Sequence, residues 1–408
     1  MQTCHLCNAE SVDNILDLGK QPICSRYLKT PDAKEYKHPM IMGQCSTCGL
    51  IQLLHPVPPE KLIPKYGWIS YNEPEGHLDD LVDKISKLPG ITKESKIFGI
   101  SYKDDSTLSR FNIIGFKDTW RLDVQKDLDI TDKKANIETI QDRLISDKAI
   151  EISETYGKAD VVIARHILEH AYDMHTLMDA IKKLLKPNGY IILEVPDCST
   201  SLETKNYTML WEEHISYFTS EVFRCCFSFF GFSLQSLECY PYPFENSLVG
   251  IARFEDTVPS SILSENEIEK QKIIAHSFCD EFEKKRTEIQ KSLRRIPGKI
   301  ALFGAGHLSC TFINLLKLEN CIEFIVDDNP NKKGLFMPGS KLNIKGSNAL
   351  FEKNIKFCLL SLSPESEEKV IINNQLFIDK GGIFSSITPV SKYALDINKL
   401  HQEQYNES

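Results

Sequence analysis

Residues 159–197 read ADVVIARHILEHAYDMHTLMDAIKKLLKPNGYIILEVPD, and the fold is decided here. A strand opens at Ala159, a helix runs from Met174 to Leu185, Lys186-Pro187-Asn188-Gly189 turns the chain, and a second strand follows through YIILEVPD. Upstream, KIFGIS from Lys96 is another strand, followed by a polar run and by DTWRLDV, which ends near Asp123. Apolar strands alternating with amphipathic helices predict an α/β fold, a parallel sheet with helices on both faces. Ligands in such folds lie beyond the carboxyl ends of the strands. That places Asp123, suited to accept both hydroxyls of a ribose, and the segment Arg165 to His170 on the ligand side.

The turn after the first strand usually carries glycines that let the backbone approach a cofactor. Here it reads Ser101-Tyr102-Lys103-Asp104-Asp105-Ser106, and Gly99 lies early. Asp105 is suited to a cationic or amino-acid portion of a ligand, while Tyr102 and Lys103 crowd the approach. About a dozen residues beyond Pro196-Asp197, expected as a loop, comes WEEHISYF, Trp211 to Phe218. Two acids, an imidazole and a phenol in eight residues read as a place where a proton is removed. Glu-His pairs also occur on exposed helices and loops, so Glu213 and His214 take their meaning from their surroundings.

At the amino terminus, Cys4 and Cys7 form one Cys-x2-Cys pair and Cys45 and Cys48 a second. Four thiolates at this spacing make a closed, tetrahedral, structural zinc site in a small β-rich module. Cys24 is left over and reads as a core residue. The segment YGWISYNEPEGHLDDL links this module to the α/β unit, with Tyr66, Trp68, Tyr71 and His77 as residues that pack or face a ligand.

Towards the carboxyl terminus, Ser264 with Glu267 forms a capping box that opens one long amphipathic helix, ending at Ile296-Pro297-Gly298. A second α/β unit follows. KIALFGAGHLS is a strand leading into Gly304-Ala305-Gly306, and CIEFIVDDNP is a strand ending in Asp327-Asp328. This is half of a dinucleotide fold with Ser309 in place of the third glycine, so nucleotide binding and a structural turn both remain open.

The 408 residues suffice for two or three domains, and no window approaches the length of a membrane span. The net charge of -9 argues against sequence-independent nucleic-acid binding. Thirteen cysteines scattered through apolar segments, with no basic and apolar leader, read as a cytoplasmic protein that neither spans a membrane nor binds nucleic acid.

Together the zinc knuckles, HILEH, KPNGYIILEVPD, EEHISYF and the FGAG unit resemble one family over nearly the whole chain. It is the three-domain, zinc-containing, S-adenosylmethionine-dependent C-methyltransferases of nucleotide-linked 4-keto-6-deoxy sugars. The resemblance implies a small amino-terminal zinc module over 1–75 and a central Rossmann-like class I methyltransferase domain over 76–258. A carboxyl-terminal Rossmann-like α/β domain over 259–408 completes the chain. It further implies structural zinc, S-adenosylmethionine as donor, and a dTDP- or GDP-linked keto-deoxyhexose held largely by the last domain, in a monomer or dimer. A carbon acid beside a ketone must lose its proton, the enolate must be stabilised, and the carbanion must meet the sulfonium methyl in line.

By the same resemblance His214 is the general base, Glu213 orients it, and Tyr66 or Tyr217 hydrogen-bonds the sugar. The donor site maps onto Asp105, Asp123, Arg165 and His166, and substrate contacts onto Gly304, Gly306, Asp327 and Asn246. The chain departs from the family pattern in three places. Tyr102 to Ser106 stands where relatives carry a Gly-Ser-Asn-Asp-Gly type turn. Trp211 replaces a tyrosine two positions before the glutamate, and Phe244-Glu245-Asn246-Ser247 replaces a His-Gly-Gly-Ser stretch. The alternative expectation is a homologue that binds a sugar nucleotide with a lost or changed donor site.

Overall fold

The computed structural model describes residues 2–69, 73–132, 137–255, 261–352 and 355–396, so Tyr71 lies outside the described residues. Two compact units emerge. The first comprises Met1–Ile15, Met42–Ser199 and Glu213–Ile273; the second comprises Leu16–Ile41, Thr200–Glu212 and Ile274–Ser408.

The first unit is built on a six-stranded sheet. Its order is Asp118–Arg121, Lys96–Gly99, Ala159–Arg165, Leu185–Asp197, Asn246–Arg253, Ser233–Tyr240. The first four strands are parallel, and the last two run antiparallel to their neighbours. Val161, Val162, Ile163, Ile191, Ile192 and Leu193 are inaccessible to solvent, as expected of strands covered on both faces. Gly250 lies under Phe227, whose ring would stand 2.2 Å from an added Cβ, so the helix Ser220–Phe229 packs close on the antiparallel part of the sheet. The turn 186–189 keeps Asn188 left-handed at φ +65 and is absorbed into the strand Leu185–Asp197.

The two cysteine knuckles belong to this unit, and their buried Cys4, Leu6, Cys45, Cys48 and Leu50 share one core with Phe218 and with Ile181 and Phe223 of the helices Met174–Leu184 and Ser220–Phe229. Beside the knuckles, Met42–Gln44 pairs with Ile51–Leu53, and Ser216–Tyr217, a piece of the WEEHISYF stretch, pairs with Ile51 and Gln52.

The second unit carries a five-stranded parallel sheet in the order Ile344–Lys345, Phe324–Val326, Lys299–Phe303, Ile355–Leu360, Ile383–Ser386. This is the doubly wound arrangement, with a switch point at the Lys299–Phe303 strand.

Two sequence expectations change. The stretch between Asp197 and Trp211 is not an open loop. It holds the helix Ser199–Thr204 and a tight turn Tyr207–Met209, begun by Asn206, whose side chain accepts the Thr208 N–H at 3.2 Å. The predicted long helix is two, Glu265–Asp280 and Phe282–Arg295. Its ladder slackens at Glu281, whose N–H reaches the Ser277 carbonyl only at 3.4 Å. The capping box is present, with the Glu267 carboxylate accepting the Ser264 N–H at 2.8 Å. Among the described residues, no helix is long and apolar enough to cross a membrane.

Candidate active site and metal centre

The two cysteine knuckles fold alike. In each, the residue two positions after the first cysteine donates its N–H to that cysteine's sulfur, Leu6 to Cys4 and Thr47 to Cys45, both at 3.4 Å. Each closes with a left-handed residue, Asn8 at φ +60 and Gly49 at φ +79. The sulfurs approach as Cys4–Cys48 at 3.5 Å and Cys7–Cys45 at 3.6 Å, and all four lie within 4.8 Å of one another. A tetrahedral zinc with bonds of about 2.3 Å sets its sulfurs roughly 3.8 Å apart. The residues therefore fit zinc, and four thiolates leave no open position for chemistry.

This module also positions the candidate base. Ile215, next to His214, donates its N–H to the Glu169 carbonyl at 2.7 Å and accepts the Leu53 N–H at 2.8 Å. Beyond it Tyr217 pairs with Ile51 and Ser216 with Gln52. His214 is thus held between the zinc-module sheet and the end of the Ala159–Arg165 strand. Its ring meets the edge of His170 at a centroid distance of 4.8 Å, and Glu169, His170 and His214 bring their polar atoms within 4.8 Å of one another. Tyr217 is buried, its ring 6.3 Å from that of His214, and Glu213 is buried too. Tyr66 stacks on Trp68 at 5.1 Å. Trp211 and Glu212 belong to the second unit, where Trp211 stacks on His307 and Glu212 accepts the Cys24 N–H.

At the carboxyl ends of the strands lies a buried ionic lattice. Arg165 is 1 % exposed and donates to Glu194 at 2.5 Å and to the carbonyls of Lys103 at 2.7 Å and Pro74 at 3.3 Å. His166 adopts a left-handed φ of +49, a conformation costing a non-glycine residue about 1–3 kcal/mol. Its ring bonds offset that cost, with Nε2 3.1 Å from Glu194 and Nδ1 3.3 Å from Glu169. Burial opposes charge on this imidazole, but Glu73, Glu194 and Glu169 outweigh burial and push it up to about 10. Glu194 also accepts the Ser247 hydroxyl at 2.6 Å; burial works against its charge, yet His166, His77 and Arg165 hold it well below the carboxylate range.

The turn after the first strand is closed from within. The buried Asp104 carboxylate accepts the N–H groups of Ile100 and Ser101 at 2.8 Å and of Arg165 at 3.0 Å. Burial pushes its carboxyl up to about 7 against those donors. A Cβ on Gly99 would stand 2.9 Å from that of Asp104, so the early glycine is what lets the turn fold back over the strand end. Tyr102 points outward, 46 % exposed, and Lys103 turns aside to pair with Glu73. Asp105 is exposed and pairs with Arg121 at 2.7 Å. Asp123 lies at the surface beyond its strand, with one oxygen accepting the Gln125 and Lys126 N–H groups at 2.9 and 3.1 Å. Surface carboxylates at these strand ends are groups that fit a ribose diol and a cationic ligand.

Sequence reasoning placed the segment Arg165 to His170 on the ligand side without giving Glu169 and His170 roles of their own, and it missed Glu73, Glu194 and Glu245. Glu245 is pushed up to about 8 by burial and Glu73, while His166 pulls the other way. HILEH held a usable signal, since positions i, i+3 and i+4 of a turn share a face; nothing local marks Glu194 or Glu245. Asn246 opens its strand in the first unit, its amide 3.5 Å from Asp197. In the second unit the N–H groups of Gly304, Ala305 and Gly306 are all engaged internally, by the Val326 carbonyl at 2.7 Å, the Asp327 carboxylate at 2.9 Å and the Ser309 hydroxyl at 3.1 Å. Space around Gly306 is open, with no atom within 4 Å of an added Cβ.

Comparison with known proteins gives three family matches in chain order. Residues 4–62 match a zinc binding domain, 84–237 a methyltransferase domain and 254–390 a C-methyltransferase C-terminal domain. The C-methyltransferase NovU of Streptomyces niveus is 23% identical over 404 residues, covering 95% of each chain. Among solved structures, the YcgJ protein of Bacillus subtilis aligns with 45% of this chain and all of its own, at 10% identity and a TM-score of 0.31. The 1,6-didemethyltoxoflavin-N1-methyltransferase of Burkholderia thailandensis aligns with 44% of this chain and 78% of its own, at 12% identity and a TM-score of 0.28.

Proposed function

We propose that this S-adenosylmethionine-dependent methyltransferase, with its structural zinc module, methylates a nucleotide-linked 4-keto-6-deoxy sugar at a carbon next to the ketone. The observation that carries the reading is the placement of His214 beside Glu169 and His170 at the ligand end of a methyltransferase sheet. The three domain matches favour an enzyme over a binding protein with a lost donor site.

S-adenosylmethionine, when bound, supplies an electrophilic methyl carbon. Asp123 takes the ribose hydroxyls of that donor, and Asp105 with the His166 side of the lattice takes its amino-acid portion. The imidazole of His214 removes the proton α to the ketone, general-base work that histidine most often performs. The buried Glu213 orients it, the Glu169 carbonyl pins its chain neighbour Ile215, and the edge of His170 limits its rotation. The resulting enolate needs a hydrogen-bond donor, for which Tyr217 and Tyr66 are the candidates. The lattice positions the strand ends, with Arg165 acting through Glu194 and the Lys103 carbonyl. The nucleotide, dTDP or GDP, falls to the carboxyl-terminal unit at the open side of Gly306, with Gly304 and Asp327 shaping the turn.

Incubation with S-adenosylmethionine and dTDP- or GDP-linked 4-keto-6-deoxy sugars, read by mass spectrometry, yields a product heavier by one methyl. Without donor, solvent deuterium washes into the substrate, and His214→Ala lowers that exchange by roughly 10²–10⁴-fold. Wild-type exchange in the variant would assign the base elsewhere, and no methylated keto sugar from folded, zinc-loaded protein would remove the sugar reading.

A further inference from the structure

We propose that Glu169, His170 and His214 form a second metal site, one that takes Zn²⁺ and thereby switches off the base. Their ligand atoms lie within 4.8 Å of one another, among them two imidazoles and a carboxylate. Glu169 is 1 % exposed, and its Oε2 is buried with no hydrogen-bond partner among the described residues, while Oε1 is occupied by His166 at 3.3 Å. A buried acceptor left without a donor costs about 1–3 kcal/mol, more when it is charged, and a cation would remove that cost. The backbone around the three is pinned. Ile215 donates to the Glu169 carbonyl at 2.7 Å, the His170 N–H reaches the Ile167 carbonyl at 3.2 Å, and the Gln141 amide donates to the His170 carbonyl.

The donor set selects the ion. Imidazole nitrogen with one carboxylate suits zinc and its neighbours, whereas magnesium and calcium prefer oxygen alone. Zinc bonds of about 2.0–2.2 Å place tetrahedral ligand atoms roughly 3.4 Å apart. Closing the cluster from 4.8 Å therefore takes side-chain rotation of an ångström or so, without movement of the pinned backbone. Three protein ligands leave a fourth position on the side of His214, which is only half-buried. The thiolate cluster differs in every donor atom, so the two sites are chemically distinguishable.

An imidazole lone pair that holds a metal cannot accept a proton. Zinc at this site and base catalysis by His214 therefore exclude each other. The metal site stands on the cluster's geometry alone; the inhibition rests on the proposed role of His214.

The test uses the full chain with zinc in its thiolate cluster, titrated with Zn²⁺ by calorimetry and, after exchange, with Co²⁺ by absorption. One further equivalent is expected. Cobalt in the thiolate cluster gives intense sulfur charge-transfer bands, and the added equivalent brings only weak ligand-field bands. Glu169→Gln weakens the added equivalent at least about tenfold, the scale on which even a ligand's outer partners alter affinity. His170→Gln does the same and serves if the first variant does not fold. No added equivalent, or one that both variants leave unchanged, overturns the site. In parallel, deuterium exchange into the keto sugar falls as the second zinc binds; exchange that stays constant at saturation overturns the inhibition. Exchange absent before any zinc is added refutes the base assignment, and the metal count still decides the site.

Discussion

The two sheets face the same task at the ends of the strands Lys96–Gly99 and Lys299–Phe303, where the backbone N–H groups of the following turn need acceptors, and they meet it differently. In the first unit Asp104, from the turn itself, takes two of those groups, from Ile100 and Ser101, together with the Arg165 N–H at the end of the neighbouring strand, and the turn is then wedged by the buried Arg165–Glu194–His166 lattice. In the second unit Gly304 brings the backbone close against Ser361, and Asp327 reaches over from the next strand to take the Ala305 N–H. One turn is held by charge inside the protein, the other by close contact. The lesson is that absence of a glycine fingerprint does not leave a turn unformed, and presence of one does not leave its N–H groups available.

The contrast breaks hardest at Glu194. Glu194→Gln removes the anion that Arg165, His166 and Ser247 share, leaving buried cations with a neutral partner. Breaking a buried pair in this way costs about 3–5 kcal/mol. Denaturant unfolding of the full chain, with hydrogen exchange resolved on residues 96–104 and 159–170, measures it. Stability should also depend on pH in a definite direction. The folded pKa of His166, about 10, lies above the ordinary histidine value, so its contribution is complete below about 6.5 and is lost as pH rises through about 10. Glu194 is held below the carboxylate range, so its contribution is present above about 4.5 and is lost as pH falls. In Glu194→Gln the alkaline loss should move to lower pH. A variant as stable as wild type, with the same alkaline limb, would mean that close packing rather than charge holds this turn as well.

Much of this was legible in the sequence for local reasons. Cys-x2-Cys followed by Asn8 or Gly49 carries both the ligands and the left-handed exit of each knuckle. The strand, helix and turn of 159–197 declare themselves by periodicity. The lattice did not, because its partners come from five separate segments, Glu73 and Pro74, Lys103 and Asp104, Arg165 and His166, Glu194, and Ser247. Nothing in YIILEVPD says that its glutamate lies fully buried, since an acid in an apolar strand reads equally as an edge position. The same holds for His214. Its neighbours Glu169 and His170 lie more than forty residues upstream, and the pairing of Ile51–Leu53 with Ile215–Tyr217 ties its position to the zinc module.

The steric side of the contrast is tested at Gly304. Its φ is +105, and an added Cβ would lie 2.4 Å from the Ser361 carbonyl oxygen. Backbone strain alone costs an alanine there about 1–3 kcal/mol, and the clash adds to it. Gly306→Ala is the control, because an added Cβ meets nothing within 4 Å and the backbone is extended. Gly304→Ala should speed exchange across 299–306 and leave 96–104 unchanged, and Gly306→Ala should do neither. Equal tolerance of both alanines would leave the second turn without its steric lock.

The smallest effect is expected at Asp327, and its size matters for that reason. Asp327 accepts the N–H groups of Ala305 and Asn329 and the Lys332 ammonium, each at 2.9 Å, but its side chain remains 14% exposed and that of Lys332 19%. Water can replace part of what the charge supplies, and Asp327→Asn retains an acceptor oxygen. A loss of about 1 kcal/mol follows, the scale of one hydrogen bond weakened near a surface. Exchange protection at Ala305 should fall by a corresponding factor of about five, with little change in the global unfolding midpoint. A loss matching that of Glu194→Gln would show that charge also holds the second turn. The two sheets would then differ only in which strand supplies the carboxylate.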